Sequence, residues 1–325
     1  MIGLSASFSV VDTHTAGHPT RVILSGVPNL KGADVREKRE DFRRRFDSLR
    51  SLLLHEPRGH AAMVGLVPVP SSRADYGAFF ISSYVYLDMC GHGTIGYAKT
   101  LASTGQIQPG DEGFTLETPA GVIDVKLHWS PDGRLGNVRL RNVPSYVGIE
   151  NLAVPFGDFG EVRTDIVYGG MWYAFVDAAA LGLDLVPENA SVLMRLGYSL
   201  KQAICDAVGS HPLLAGAVAP SVLFYTDTAP TEATHFLVLE SNKFDRSPCG
   251  TATSARLALL ERRGRLQAGE TYTARNIFGV PFFARVVERQ GEAIVAEIEG
   301  SAHLVAQTTI LVEDDDPLPN GFLCK

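Results

Sequence analysis

The 325-residue chain is poor in cysteine, with four, and in tryptophan, with two. So few cysteines in so long a chain argue against a disulfide framework, and none of them forms a CxxC pair of the kind that holds structural zinc. No apolar run reaches the roughly 18 residues that a membrane-spanning helix needs, so no membrane partner is expected. The N-terminal MIGLSASFSVVDTHTAG lacks the basic start and cleavage pattern of a signal peptide, which predicts a cytoplasmic protein. Excess positive charge is missing as well: 29 Lys and Arg stand against 36 Asp and Glu, a net charge of −7, which argues against a nucleic-acid partner. The most basic stretch, Arg36 to Arg50, mixes both signs and carries Val35, Phe42, Phe46, Leu49 and Leu53 at helical spacing. It reads as the solvated face of an amphipathic helix rather than a polyanion site.

What is present is a duplication. Met89 to Gly110 (MCGHGTIGYAKTLASTGQIQPG) and Pro248 to Gly269 (PCGTATSARLALLERRGRLQAG) superpose at a constant separation of 159 residues. That overlay matches Cys90 with Cys249, Gly91 with Gly250, Thr94 with Thr253, Leu101 with Leu260 and Gly105 with Gly264. Two domains follow, residues 1–146 with a return of the tail 304–325, and residues 147–303, with the crossover near Val143 to Val154. Strands are predicted at 7–12, 20–25, 62–69, 78–87, 114–118, 121–128 and 137–141. Helices are predicted at about 33–54, 94–104 and 188–208, besides the one after Cys249. Strand, glycine turn and strand recur, so the sheets are expected to be antiparallel or mixed. A second echo sets TLETPAGVIDVKLH (115–128) against TARNIFGVPFFARVV (273–287), with Gly121 opposite Gly279.

Each repeated cysteine stands just before a helical pattern, where unpaired N–H groups and the helix dipole favour a thiolate. Two such half-sites across a cleft make a pair of acid/base groups that can take a proton from one face of a carbon and return one to the other. Gly91 and Gly250 allow close approach to backbone N–H groups able to hold a carboxylate. Thr94, Thr251 and Thr253 add hydroxyls, while His92 and Asp245 are the natural partners of an amine. A lone buried cysteine is ordinarily core. Two at equivalent positions, each opening a Gly/Thr-rich helix, are not explained that way.

A zinc site from Cys90, His92, Cys249 and His60 or Asp245 lacks metal-ligand spacing. A cysteine hydrolase would leave the second thiol idle. Cys205 reads as core and Cys324 as a frayed end. His14 and His60 lie in turns that could rim a cleft, and Trp172, Tyr173, Phe278, Phe282 and Phe283 read as core. The Gly169–Gly170 pair lacks the setting of a nucleotide loop.

On MCGHGTIG around Cys90 and DRSPCGTATSA around Cys249, supported by THTAGHPTR, EPRGH, DIVYGG and GSAHLV, the chain resembles the proline racemase family. The resemblance implies an α+β fold of the diaminopimelate epimerase-like type: two pseudo-symmetric α/β domains, each a mostly antiparallel or mixed sheet wrapped around a central helix, with the ligand between them. It also implies chemistry without a cofactor, in which Cys90 and Cys249 are the catalytic acid and base. By motif position, Gly91, His92, Gly250 and Thr251 would bind the substrate carboxylate, and His92 and Asp245 its nitrogen. The expected partner is a small amino acid, hydroxyproline or proline, with a homodimer as the compatible assembly. Related trans-3-hydroxyproline dehydratases carry threonine in place of the second cysteine, so Cys249 favours racemisation or epimerisation over dehydration. A silent amino-acid-binding protein is the non-enzyme alternative. Met171, Asp88 and the segment 279–286 depart from common family usage and leave the choice among proline, 4-hydroxyproline and another amino acid open.

Overall fold

The computed structural model describes residues 3–209, 211–214, 219–267 and 269–324. The chain divides into two compact units, residues 1–140 with 300–325, and residues 141–299. The exchange points fall a few residues before the expected 146/147 and 303/304. The strand Tyr146–Pro155, which overlaps the predicted crossover, belongs wholly to the second unit.

The two units repeat one order of strand pairing. In the first, Leu4–Thr15 pairs antiparallel with His18–Ser25, and His18–Ser25 runs parallel to Val64–Val69. Val64–Val69 then pairs antiparallel with Tyr76–Ser82, which runs parallel to Gly113–Thr118, itself antiparallel to Gly121–Trp129. In the second, Glu161–Tyr168, Trp172–Asp177, Ser221–Ala229, Glu232–Glu240, Tyr272–Arg275 and Pro281–Gln290 pair in the same alternation. A parallel pair cannot be closed by a tight turn; it needs a long crossover, and here every such crossover contains a helix. In the first unit these are α1 (Val35–Leu54) and α2 (Gly91–Ser103), in the second α3 (Ala190–Val208) and α4 (Gly250–Arg262).

The inner helices α2 and α4 bury ten of their thirteen residues each, which is possible only for a helix enclosed by its sheet, and their bounds keep the 159-residue separation at both ends. The outer helices lie on the opposite sheet faces. Val35, Phe42 and Leu53 of α1 enter a core with Phe8, Ile23, Phe79 and Ile81. Leu193, Leu200 and Ile204 of α3 enter one with Val176, Val222, Phe224 and Phe236. The arginines of α1 are tied by carboxylates: Arg45 to the buried Asp41, Arg50 to Asp47, and Arg39 to Glu40 and Asp88. The tail returns as Ala302–Glu313 against Leu4–Thr15, within the first unit. It is the end of one long strand, Ala293–Glu313.

Several sequence readings are corrected. Gly121 opens a strand directly opposite Thr118, whereas Gly279 sits inside the longer loop between Arg275 and Pro281, so the two glycines are not equivalent. That loop leaves Phe278 51% exposed, and Phe283 is 38% exposed, so neither is core. Cys205 on α3 is half-buried rather than core. No helix among the described residues is long and apolar enough to cross a membrane.

Candidate active site

Cys90 and Cys249 are the N-cap residues of α2 and α4. Each is buried, and each accepts at its carbonyl from the threonine four residues on: Thr94 Oγ1 to Cys90 O at 2.9 Å, Thr253 Oγ1 to Cys249 O at 2.7 Å. The residue two positions after each cysteine reaches back to its sulfur. His92 Nδ1 lies 3.4 Å from Cys90 Sγ, and Thr251 Oγ1 lies 3.4 Å from Cys249 Sγ.

The glycines of the two motifs divide by role. A Cβ on Gly93 would come within 3.1 Å of the Phe80 ring, a tight contact, and one on Gly96 within 2.6 Å of Thr13 Oγ1, so the strands press on α2 at both positions and most closely at Gly96. A Cβ on Gly91 or Gly250 would meet protein only at 3.7 Å or 3.6 Å, an ordinary contact. Packing does not require glycine at those two positions, whereas close approach of a ligand to the backbone would.

In the first unit, Thr15 Oγ1 donates to His92 O at 2.9 Å, and the buried His18 ring meets His92 edge-on with centroids 4.3 Å apart. Arg21 forms a bidentate pair with Asp12 at 2.9 and 2.7 Å and donates to the carbonyls of Leu53 and Arg58. It thus ties THTAGHPTR to EPRGH and to the end of α1. His60 is exposed, and His14 stacks on His303 at 5.2 Å.

The surroundings of the second thiol are different. Asp245, on the short strand Lys243–Asp245, is buried and accepts at Oδ1 from Ser247 N and Ser247 Oγ, both at 2.8 Å; Ser247 Oγ in turn accepts from Cys249 N at 3.2 Å. Burial raises the Asp245 pKa against the opposing hydrogen bonds from Ser247. Tyr173 OH lies 2.6 Å from Thr251 Oγ1 and 3.7 Å from Cys249 Sγ. Cys249 itself has φ +64°, whereas Cys90 has φ −147°. A side-chain-bearing residue in that region is strained, and such strain concentrates at functional sites.

The expectation that the helix end makes both thiols acidic does not hold for Cys249. Burial, and then the charge of Asp245, push it up to about 12. Desolvation outweighs the dipole there.

Sequence reasoning missed three contributors. Tyr173, read as core, is core, yet a buried phenol needs a partner and finds one beside the thiol. Gly169 presses on α4: a Cβ there would stand 2.2 Å from Thr251 O. Asn142 Nδ2 donates to Gly169 O at 2.9 Å. The Gly169–Gly170 pair was the available signal, and it marks close backbone packing rather than a phosphate loop. Of the residues that depart from family usage, Asp88 is 68% exposed at its side chain and paired to Arg39. Met171 O accepts from Gly169 N at 3.0 Å in the turn between two strands. The 276–280 loop is organised by Asn276, which accepts from Phe278 N and Val280 N and donates to Arg246 O beside Asp245.

A family model described as proline racemase matches residues 10–323. A proline racemase of Clostridioides difficile is 36% identical over 336 aligned positions, covering 99% of each chain. A 4-hydroxyproline 2-epimerase of Chromohalobacter salexigens is 37% identical, covering 96% of this chain and 97% of its own. The crystal structure of a hydroxyproline epimerase from Agrobacterium vitis with bound trans-4-hydroxy-L-proline superposes with a TM-score of 0.85 at 29% identity, covering 98% of this chain and 96% of that one. A Bacillus anthracis protein of the PhzF family, at TM-score 0.63 and 12% identity over 94% of this chain and 99% of that one, shares the fold.

Proposed function

Because the chain belongs to the proline racemase family, we propose that it is a cytoplasmic, cofactor-independent amino-acid racemase or epimerase that inverts the Cα of 4-hydroxyproline or proline. The observation that carries this reading is the duplicated pair of N-cap thiols, each with a polar partner two residues later. One thiolate removes the Cα proton and the other thiol delivers a proton to the opposite face, which inverts the centre and exchanges the two protonation states. His92 can accept the Cys90 proton at 3.4 Å, and the high pKa of Cys249 suits it as the donor in the resting protein. Gly91 and Gly250, where packing leaves room, and the neighbouring His92 and Thr251 bind the substrate carboxylate through helix-terminal N–H groups and side chains. Asp245, with His92, takes the substrate nitrogen.

Incubation of the pure protein without added cofactor in D2O tests this, with L-proline, trans-4-hydroxy-L-proline and trans-3-hydroxy-L-proline in separate reactions. Deuterium at Cα with inversion is expected for at least one of the first two. The 4-hydroxy compound is the expected better substrate, because MCGHGTIG with the THTAGHPTR pattern resembles the epimerase branch. Loss of water from the 3-hydroxy compound alone, or binding without exchange, would overturn the assignment.

A further inference from the structure

A buried polar chain in the second unit ends on the backbone that carries Cys249. His235, 1% exposed, sits 3.2 Å through Nδ1 from Pro248 O and 3.1 Å through Nε2 from Tyr272 OH. A carbonyl only accepts, so Nδ1 bears the hydrogen and Nε2 accepts from the Tyr272 hydroxyl. Burial, and then the charge of Arg256, lower the His235 pKa to about 4, which keeps this neutral tautomer in place. Arg256 is fully buried, pairs with Asp227 at 2.7 Å and lies 3.8 Å over the Tyr225 ring.

The duplicated unit is an internal control. Leu66 pairs with Phe80 as Leu223 pairs with Leu237, which sets Ala78 opposite His235 and Pro68 opposite Tyr225. The helix separation sets Tyr97 opposite Arg256, and the parallel pairing of the next strand sets Phe114 opposite Tyr272. The same fold is therefore built there from Ala78, Phe114 and Tyr97, all buried, with no charge among them. A buried arginine and histidine are costly, and the fold does not call for them. What differs with them is the cysteine backbone: extended at Cys90, left-handed at Cys249.

We propose that His235, backed by Tyr272, is a positioning residue that clamps the Pro248 carbonyl and so holds Cys249 in its left-handed conformation, with its sulfur set beside Thr251 and Tyr173. Thr253 Oγ1 also reaches that carbonyl, but at 3.5 Å, a weaker contact than the imidazole makes. The inference rests on Cys249 being a working thiol of the proposed isomerase.

The test uses His235→Leu, which removes the donor, His235→Asn, whose amide nitrogen restores a donor near the Nδ1 position, and Tyr272→Phe, which removes only the backing hydroxyl. Alkylation rates of Cys90 and Cys249 are mapped by mass spectrometry, and kcat and KM are measured separately. In His235→Leu the clamp predicts a change of about tenfold or more in Cys249 alkylation, equivalent to about one pKa unit, with Cys90 unchanged. It also predicts a fall in kcat of about tenfold or more with KM nearly constant, the mark of geometry lost at the reacting atom. His235→Asn should restore both, and Tyr272→Phe should fall between. If His235→Leu does not fold, Tyr272→Phe carries the comparison, with a smaller change confined to Cys249. Equal changes at both cysteines, or none at Cys249, would overturn the clamp. Alkylation is independent of turnover, so a protein that isomerises nothing would sink the proposed function while still deciding the clamp.

Discussion

Replacing Asp245 by Asn separates two roles that one carboxylate can play. Asn keeps a carbonyl oxygen where Asp245 accepts from Ser247 N and Oγ, so the turn that carries Cys249 retains its hydrogen bonds. What is lost is the charge, together with the second acceptor oxygen. If that charge faces the substrate nitrogen, the substitution leaves a buried ammonium without its partner, at a cost of about 3–5 kcal/mol. That corresponds to a dissociation constant raised by roughly two to four orders of magnitude. The free protein supplies a second readout. The Asp245 charge is the largest cause after burial that raises the Cys249 pKa, so removing it lowers that value from about 12. Alkylation follows the thiolate fraction, which rises with pH through the pKa. The Cys249 alkylation curve of Asp245→Asn therefore moves to lower pH, and at a fixed pH below the pKa the rate rises about tenfold when the pKa falls by one. Isothermal titration with substrate and a pH series of mapped alkylation give the two numbers. Substrate affinity within about threefold of wild type, well under 1.4 kcal/mol, would show that Asp245 does not meet the amine and serves only as the cap of the Ser247 turn.

Cys90→Ser and Cys249→Ser should each lower isomerisation in both directions by about 10²–10⁴-fold or more, since a hydroxyl is far less acidic than a thiol and a two-base cycle fails with either member gone; near-wild-type progress curves from either variant would refute the pair. Gly169→Ala forces a Cβ to within 2.2 Å of the Thr251 carbonyl, a backbone atom that cannot swing aside. It should cost about 1–3 kcal/mol in urea unfolding and reduce kcat as well, because Thr251 moves. Arg21→Leu removes the bidentate pair with Asp12 and the donors to Leu53 O and Arg58 O. A loss of about 3–5 kcal/mol is expected, read as a lower urea midpoint with unchanged slope.

Features carried by local pattern were legible in the sequence. The apolar spacing of Val35, Phe42 and Leu53 marks α1, and the 159-residue repeat pairs the two cysteines and the two inner helices, although α2 runs from Gly91 to Ser103 rather than over the expected 94–104. Features made by residues distant in sequence were not. Tyr173 and Cys249 are 76 positions apart, and a tyrosine in a run of apolar residues looks the same whether or not its hydroxyl ends beside a thiol. His235 stands just before the apolar run Phe236 to Leu239, with nothing in the sequence to point to its partners; only the fold brings Pro248 and Tyr272 to its two nitrogens. The Gly121–Gly279 alignment failed for a related reason. Hairpin strands keep their pairing while loop length drifts, so a glycine that opens a strand in one repeat can be matched to one inside a loop in the other.

The duplication supplies equivalence and the substitutions within it supply direction. Two identical half-sites would titrate together, and a pair of thiols in one protonation state cannot both take and give a proton. The repeats break that symmetry at the positions that touch sulfur: an imidazole at His92 against a hydroxyl at Thr251. The strand pairing that sets Phe80 against Leu87 and Leu237 against Asp245 likewise puts an apolar residue in one repeat where the other has a buried carboxylate. In the proposed mechanism His92 offers the Cys90 proton a base, while Asp245 and burial hold the Cys249 proton in place. A substrate ammonium drawn to Asp245 would cancel the charge that, after burial, most raises the Cys249 pKa. Binding would then bring the acid into range for proton transfer only when the molecule to be inverted is present, and an amino acid without its amine proton, or a carboxylic acid without an amine, would leave Cys249 locked as a thiol.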